Sequence, residues 1–221
     1  MEPYPYEYVF KEGVPIDEHH TEKGITSSVV EGELRLTYPP GQWIRGVGHT
    51  PIFAFSTIQG ALRGSIGLHR RIWLARTHWT SPLPPRLPVT PQGKDWQAVQ
   101  REEWLAFWNE WQALPDDYQH WDEKRIAFWR RWHHKTLPAR CFARGVACLV
   151  PDLWLLHEIP QEFYPHLWEE NFQFLPEILR LCAAWIAEDS AREASMTLGR
   201  SQGGLNGTTK APIRFSGDGP I

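Results

Sequence analysis

Alternating and clustered apolar positions predict three strands along the chain. Residues 33–38, ELRLTY, alternate polar and apolar side chains, which is typical of a strand that buries one face. The stretches 140–150, RCFARGVACLV, and 153–157, LWLLH, predict two more strands. Residues 1–31 carry proline, glycine and tyrosine with little periodicity, so we expect an extended arm there.

Apolar residues at helical spacing predict two separate helices. Ser56 or Thr57 can cap the first helix with a side-chain hydroxyl. Its apolar side would consist of Ile58, Ala61, Leu62, Ile66 and Leu68. Pro176 suits the first turn of the second helix, which we expect to run to about Ala187. The buried side of that helix would consist of Ile178, Leu181, Cys182 and Trp185.

Residues 96–133 carry aromatic side chains at helical spacing and predict a pair of helices. Pro115 separates the two stripes, which are Trp104, Trp108 and Trp111, then Trp121, Phe128 and Trp132. A proline-rich stretch, residues 80–93, precedes them and has the composition of a linker. We therefore predict an antiparallel helical pair inserted into a parent fold. Its aromatic stripe is expected to form a core between the helices, with base stacking as the alternative.

Composition adds a charge pattern to these elements. The chain has 221 residues, of which 42% are hydrophobic and 22% charged, and these values indicate a globular protein. The net charge of −3 argues against a general nucleic-acid binder, yet residues 34–93 contain no Asp or Glu. The same stretch holds Arg35, Arg45, Arg63, Arg70, Arg71, Arg76 and Arg86. Such segregation lets a chain that is nearly neutral present one basic face to phosphates.

The remaining residue types exclude several classes of site. Three cysteines, Cys141, Cys148 and Cys182, give neither a disulfide framework nor a paired metal motif, so we expect buried free thiols. Two pairs of histidines are adjacent in the sequence, His19 with His20 and His133 with His134. Neither pair has the i, i+4 spacing of helical metal ligands, and we expect no metal and no cofactor. No apolar run is long enough for a membrane span and no secretory signal is recognisable, so a cytoplasmic location is expected.

Two motifs resemble those of the RAMP (repeat-associated mysterious protein) subunits of CRISPR effector complexes, in particular those of type III. Residues 56–63, STIQGALR, resemble a helix-opening motif of the form S-S-L-x-G-A-L-R, which follows a strand and a loop in that family. Residues 199–207, GRSQGGLNG, resemble its glycine-rich loop, which follows a late helix. The resemblance covers the two ends of the chain and little of residues 75–140.

The resemblance implies an α+β fold with an RRM-like, ferredoxin-type RAMP core that carries the tryptophan-rich helical insertion. Three segments follow from it. Residues 1–90 would form the arm and the first half of the core. Residues 91–137 would form the helical insertion. Residues 138–221 would form the second half of the core, with the glycine-rich loop and a C-terminal tail.

The same resemblance implies a non-catalytic RNA-binding subunit that contacts the backbone of crRNA or of the crRNA–target duplex. Its partners would be crRNA and neighbouring Cas subunits, with target RNA or target DNA as an optional further partner and no membrane involved. Hydroxyls and N–H groups at a helix start, close-approaching glycines and arginines can all contact a phosphate backbone. The expected RNA-binding residues are Arg45, His49, Ser56, Thr57, Gln59, Gly60, Arg63, Arg70, Arg71, Gly199, Arg200, Ser201, Gln202, Gly203, Gly204 and Lys210.

Two alternatives remain open at this point. The loop from Pro39 to Phe55 lacks the aspartate that cleaves target RNA in the backbone subunits of type III complexes, so we expect no cleavage of that kind. His49, in the same loop, could instead act as the general base of a metal-independent ribonuclease that processes crRNA. The other alternative is a structural subunit of a large assembly such as a phage particle.

Overall fold

The chain folds as an α+β protein with a mostly antiparallel sheet. The computed structural model describes residues 6–17, 19–27, 34–64, 70–88, 96–114, 122–139, 147–164 and 174–203. The strands within these ranges are β1 (Glu7–Pro15), β2 (Ile25–Thr26), β3 (Thr37–Tyr38), β4 (Trp43–Arg45), β5 (Ile52–Phe55), β6 (Arg71–Thr77), β7 (Ser81–Pro82), β8 (Arg86–Pro88), β9 (Thr136–Pro138), β10 (Ala147–Val150) and β11 (Asp152–Glu158). The main sheet has the order β4-β11-β6-β1-β5-β10-β7, while β2 pairs with β1 and β3, and β8 pairs with β9.

Four helices occur in the described ranges: α1 (Ile58–Gly64), α2 (Trp96–Gln112), α3 (Glu123–Trp132) and α4 (Leu175–Gly203). The predicted cap of the first helix is confirmed, because the Thr57 hydroxyl accepts a hydrogen bond from the Gly60 N–H at 3.1 Å. Asp122 caps α3 in the same way, accepting from the Arg125 N–H at 2.7 Å. None of the helices in the described part of the chain is long and apolar enough to cross a membrane.

The predicted N-terminal arm is wrong for residues 7–15, which form the central strand of the sheet. Strand β1 pairs with β6 from Glu7 opposite Thr77 to Gly13 opposite Arg71, and it also pairs with β5 and β2. Its charged side chains are buried because distant segments supply partners for them. The Lys11 ammonium donates to the Phe53 carbonyl at 2.8 Å, and burial lowers the pKa of Lys11 to about 8.

Strands β5 and β6 form a split β-α-β unit with β1. Both strands run antiparallel to β1, which lies between them, so they are parallel to each other. Helix α1 connects them and packs against β1 and β5 with the buried side chains of Ile58, Ala61 and Leu62. A parallel pair with an inserted antiparallel strand is the arrangement found in ferredoxin-like folds.

One face of the sheet forms the main hydrophobic core. Val9, Ala75, Leu153 and Leu155 contribute from the central strands, while Ile25 and Tyr38 cover them from the small β2 and β3 strands. The predicted strand 33–38 is therefore shorter than expected. Only Thr37 and Tyr38 pair, because their partner β2 is itself two residues long, and Glu33 lies outside the described residues.

The other strand predictions have mixed outcomes. Residues 153–157 lie within β11, as predicted. The stretch 140–150 forms a strand only in β10, and residues 140–146 lie outside the described part of the chain. The proline-rich stretch 80–93 is not simply a linker, since it contains β7 and β8. Both of these strands are only two or three residues long, as expected where proline removes ladder donors.

The predicted helical pair and its internal aromatic core are confirmed for the described residues. Phe107 and Trp108 are fully buried, and Trp111, Phe128, Trp129 and Trp132 pack around them in one cluster. Phe53 of β5 and Leu149 of β10 belong to the same cluster, so the helical pair packs against these two strands. Trp121 lies outside the described residues. Trp108, Trp111, Phe128 and Trp132 are buried, so these four rings are not accessible for base stacking in this conformation.

The last helix is much longer than the sequence predicts. It continues past Ala187 to Gly203, so Gly199, Arg200, Ser201, Gln202 and Gly203 lie on a helix and not in the predicted glycine-rich loop. An interior glycine costs about 1 kcal/mol in a helix. The preceding turns offset this cost with good helix formers and an Arg192–Glu188 ion pair at 2.9 Å. Gly204 and Lys210 lie outside the described residues.

Contacts divide the chain into two units, residues 1–182 and 183–221, so the end of α4 belongs to the second unit. Ile178 and Cys182, near the start of this helix, are buried in the first unit as predicted, whereas Leu181 is half-buried. Cys148 and Cys182 are free thiols, and burial raises the pKa of each to about 11. Cys141 lies outside the described residues.

Candidate nucleic-acid interface

Strand register aligns large polar and aromatic side chains on one face of the sheet, opposite the main core. Trp43 on β4 faces Trp154 on β11, Trp154 faces Arg76 on β6, and Arg76 faces Tyr8 on β1. Paired residues of neighbouring strands share a face, and residues two apart on a strand do so as well. Tyr6 and Arg45 therefore lie on this face too.

A buried arginine organises the aromatic rings at this position. The guanidinium carbon of Arg76 lies 4.7 Å from the centre of the Tyr6 ring, 4.8 Å from Trp154 and 5.5 Å from Trp43. Arg76 is only 4% exposed, whereas the three rings are half-buried. Each such cation–π contact contributes about 0.5–2 kcal/mol. The arginine thus holds the rings in place while part of each ring stays in contact with solvent.

His78 extends the ring cluster at the end of β6. Its imidazole packs against Trp43 with ring centres 4.6 Å apart and against the edge of Tyr6 at 5.2 Å. Its Nδ1 lies 2.7 Å from a carboxylate oxygen of Asp152. Asp152 is buried, and its second oxygen accepts from the His78 backbone N–H at 3.2 Å. We call Tyr6, Trp43, Arg45, Arg76, His78 and Trp154 the aromatic–arginine surface.

Arg45 gives this surface an available positive charge. It is exposed at the end of the edge strand β4, and its register partner is Asp152. Asp152 is already engaged by His78, and Arg45 has no hydrogen-bond or ion-pair partner among the described residues. An exposed guanidinium beside half-buried rings can contact a phosphate while the rings stack on bases.

The surface therefore has the chemistry of a single-strand nucleic-acid site. Proteins recognise unpaired bases by stacking them on aromatic side chains and arginine planes, and RRM domains do so on the face of an antiparallel sheet. Each stacked base contributes about 1–3 kcal/mol. The two arginines outnumber Asp152, the carboxylate that the register places on this part of the sheet face.

The structure places the residues of the STIQGALR motif at the first turns of α1. Ser56 and Gln59 are exposed, Gly60 is buried, and the Thr57 hydroxyl is occupied in capping the helix. The backbone of Arg63 lies on α1, while its side chain lies outside what the structure describes. Two of these side chains are thus accessible to a ligand.

The arginines that follow the motif are neutralised by acids from other strands. Arg70 pairs with Glu12 of β1, and Arg71 pairs with Glu158 of β11 at 3.3 Å. The stretch of sequence without Asp or Glu therefore lies close to carboxylates of other strands in the folded protein. These two arginines are half-buried structural partners, and they are a weaker match to phosphate binding than Arg45.

His49 lies in the loop between β4 and β5. Its side chain is exposed, and its backbone has a positive φ of 64° beside Gly48 at 60°. The helical pair braces this loop, because the Gln112 side-chain amide donates to the His49 carbonyl at 3.1 Å. The His49 imidazole has no hydrogen-bonding carboxylate among the described residues, in contrast to His78. The five predicted glycine-loop residues on α4 belong to the second unit.

Of the aromatic–arginine surface, only Arg45 is among the predicted RNA-binding residues, and Arg76 was named only as an arginine of the stretch without Asp or Glu. Tyr6, Trp43, His78 and Trp154 were not predicted. These residues lie on or directly beside β1, β4, β6 and β11, which are not consecutive in the chain, and only the register brings them together. The alternation of Trp43 with Arg45 and of Trp154 with Asp152 was a usable signal. This alternation was not recognised as a shared face because the strand β4 was not predicted.

The described residues contain no group of three or more His, Cys, Asp or Glu side chains that could hold a metal ion. Searches of protein-family models, of curated proteins and of solved structures found no match to this chain.

Proposed function

We propose that the chain is a non-catalytic RNA-binding subunit of a CRISPR ribonucleoprotein effector complex, and that it binds unpaired nucleotides on the aromatic–arginine surface. The observation that carries the RNA-binding part is the set of half-buried rings around Arg76, beside the exposed Arg45, which has no partner among the described residues. In the assembled complex the ligand would be crRNA, and neighbouring Cas subunits would cover other surfaces.

Two features support the family part of the proposal. The split β-α-β unit of β5, α1 and β6 around β1 suits an RRM-like, ferredoxin-type core of the RAMP kind. The STIQGALR motif opens the helix of this unit, which is its place in RAMP proteins. The geometry shifts the expected contact from duplex backbone to single-stranded bases.

A binding measurement at two salt concentrations tests the proposal. Fluorescence anisotropy would follow a labelled single-stranded RNA of about 20 nucleotides at 50 mM and 200 mM salt. We expect binding that weakens with salt, because phosphate contacts release counterions. A residual affinity at high salt would come from stacking, which depends less on charge. No affinity at either salt concentration would overturn the RNA-binding function and favour a structural subunit.

A variant series localises the binding. Trp43→Ala is expected to weaken RNA binding about 5–150-fold, since one stacked base is worth about 1–3 kcal/mol. Trp43→Phe keeps a ring on β4 and should retain most of the affinity. Trp79→Ala is the control, because this tryptophan is 46% exposed and follows β6 outside the defined surface. Cleavage of the RNA during these measurements, lost in His49→Ala, would favour the ribonuclease instead.

A further inference from the structure

Asp152 holds the imidazole of His78 in one orientation. Its Oδ2 lies 2.7 Å from His78 Nδ1, while its Oδ1 accepts from the His78 backbone N–H at 3.2 Å and from the Thr77 hydroxyl at 3.3 Å. The Asp152 side chain is 6% exposed and that of His78 is 46% exposed. The Asp152 carboxylate is therefore buried and fixed by these hydrogen bonds, whereas the imidazole ring that it contacts is exposed to solvent.

This contact determines the hydrogen-bonding character of the exposed ring nitrogen. An ionised carboxylate only accepts hydrogen bonds, so the hydrogen of a neutral imidazole resides on Nδ1. Nε2 is then an acceptor, and it makes no hydrogen bond to any described residue. Packing against Trp43 at 4.6 Å and Tyr6 at 5.2 Å keeps the ring from rotating. The surface therefore carries a pre-oriented acceptor beside its stacking rings.

We infer that Nε2 of His78 accepts a hydrogen bond from a ribose 2′-hydroxyl, which makes the aromatic–arginine surface selective for RNA over DNA. The inference rests on the proposed function and adds to it the contact that distinguishes RNA from DNA. A phosphate group has only acceptors to offer, so a neutral acceptor nitrogen does not suit it. A 2′-hydroxyl can donate, it is attached next to a stacked base, and DNA lacks it.

Three oligonucleotides of equal length separate the hydroxyl from other contacts. Labelled oligouridine RNA, its 2′-fluoro form and the corresponding deoxyuridine DNA have the same base and charge. Uracil has no exocyclic amino group, and 2′-fluoro nucleotides keep an RNA-like sugar while lacking the donor. The wild-type protein is expected to bind RNA roughly 5–10-fold more tightly than the 2′-fluoro form, the effect of one net hydrogen bond.

Two variants address the orientation of the ring. His78→Phe keeps an aromatic ring against Trp43 and lacks the acceptor, so the difference between RNA and 2′-fluoro RNA is expected to disappear. Asp152→Asn can donate an amide hydrogen to Nδ1, which moves the imidazole hydrogen to Nε2 and should also remove the difference. His134→Phe is the matched control, since this histidine is exposed after α3. Circular dichroism establishes that each variant is folded.

The outcomes separate this inference from the proposed function. Equal affinity of the wild-type protein for RNA and 2′-fluoro RNA, with both bound, would overturn the role of His78 and leave RNA binding standing. A difference that persists in folded His78→Phe would overturn it as well. Failure to bind any of the three oligonucleotides would instead overturn the proposed function. The wild-type comparison decides the matter even where a variant fails to fold.

Discussion

The described residues form two aromatic clusters, which differ in how deeply their rings are buried and in which side chains surround them. In the helical pair, Phe107 and Trp108 are fully buried and contact mostly other aromatic rings. In the aromatic–arginine surface, Tyr6, Trp43 and Trp154 are half-buried around the guanidinium of Arg76. The first cluster removes rings from water, while the second keeps part of each ring accessible and places charge beside it.

The comparison shows that a segment rich in tryptophan need not expose its rings to solvent. The tryptophan-rich helices use their rings for stability, because the helical spacing directs them all to one face against a partner helix. The surface suited to a ligand uses fewer rings, and it differs through its arginines and its histidine. The following substitutions test this division, beginning with the largest expected effect.

Replacing Trp108 with alanine should destabilise the protein by about 3–5 kcal/mol, the usual cost of removing a buried aromatic side chain. Trp108 is 0% exposed, and its indole N–H has no hydrogen-bond partner among the described residues, so the loss is one of packing. Chemical denaturation with a fluorescence readout measures it. Trp79→Ala, at an exposed site, should change stability by less than about 0.5 kcal/mol. Equal effects of the two variants would contradict the division.

Replacing Arg76 with methionine tests whether a cation organises the second cluster. The change keeps the length of the side chain and removes the charge above three rings. We expect a loss of stability of about 2 kcal/mol, from cation–π contacts of about 0.5–2 kcal/mol each. RNA affinity should fall as well, because the rings lose their fixed spacing. A stable variant with unchanged RNA affinity would show that the arginine does not organise the rings.

Replacing Arg45 with alanine should reduce the salt dependence of RNA binding with little effect on stability. Each phosphate contact contributes about 0.7 to the slope of log affinity against log salt for a single strand. We therefore expect the slope to decrease by about that amount in an anisotropy titration at several salt concentrations. Arg130→Ala on α3 is the matched control, being an exposed arginine on the helical pair. A similar change of slope in both variants would contradict a local role for Arg45.

Replacing Gln112 with alanine should have the smallest effect and tests the link between the two clusters. The Gln112 amide bonds the His49 carbonyl at 3.1 Å, in the loop that follows Arg45. Loss of one exposed hydrogen bond should cost about 0.5–1.5 kcal/mol of stability. RNA affinity should fall less than twofold, since the loop keeps its glycine-supported turn. A large loss of affinity would mean that the helical pair positions the RNA site.

Local patterns predicted the helical pair and the cap of α1 well. The aromatic spacing in α2 and α3 and the cap at Thr57 could be predicted because both depend on residues within a few positions of one another. The central strand β1 could not be predicted from local patterns. Its Lys11 and Glu12 look like surface residues, and they are buried only because Phe53 and Arg70, far along the chain, satisfy them.

The aromatic–arginine surface was still harder to predict, for a related reason. Tyr6, Trp43, Arg76 and Trp154 have no common spacing, and the sheet register alone assembles them. The glycine-rich segment illustrates the opposite error. Its composition indicates a loop, yet a long preceding helix continues through it, because extending an existing helix requires far less free energy than starting one.

The position of β1 also has a consequence for how the protein forms. This strand is synthesised before its neighbours, because its main partner β6 ends at Thr77, and β10 and β11, which pair with β5 and β6 respectively, lie beyond residue 146. During translation β1 therefore remains unpaired with β6 until that strand has been synthesised. Sheets with such distant pairings fold slowly, and an unpaired strand can associate with other chains meanwhile. Yield of soluble protein should therefore depend on how fast the nascent chain reaches its later strands.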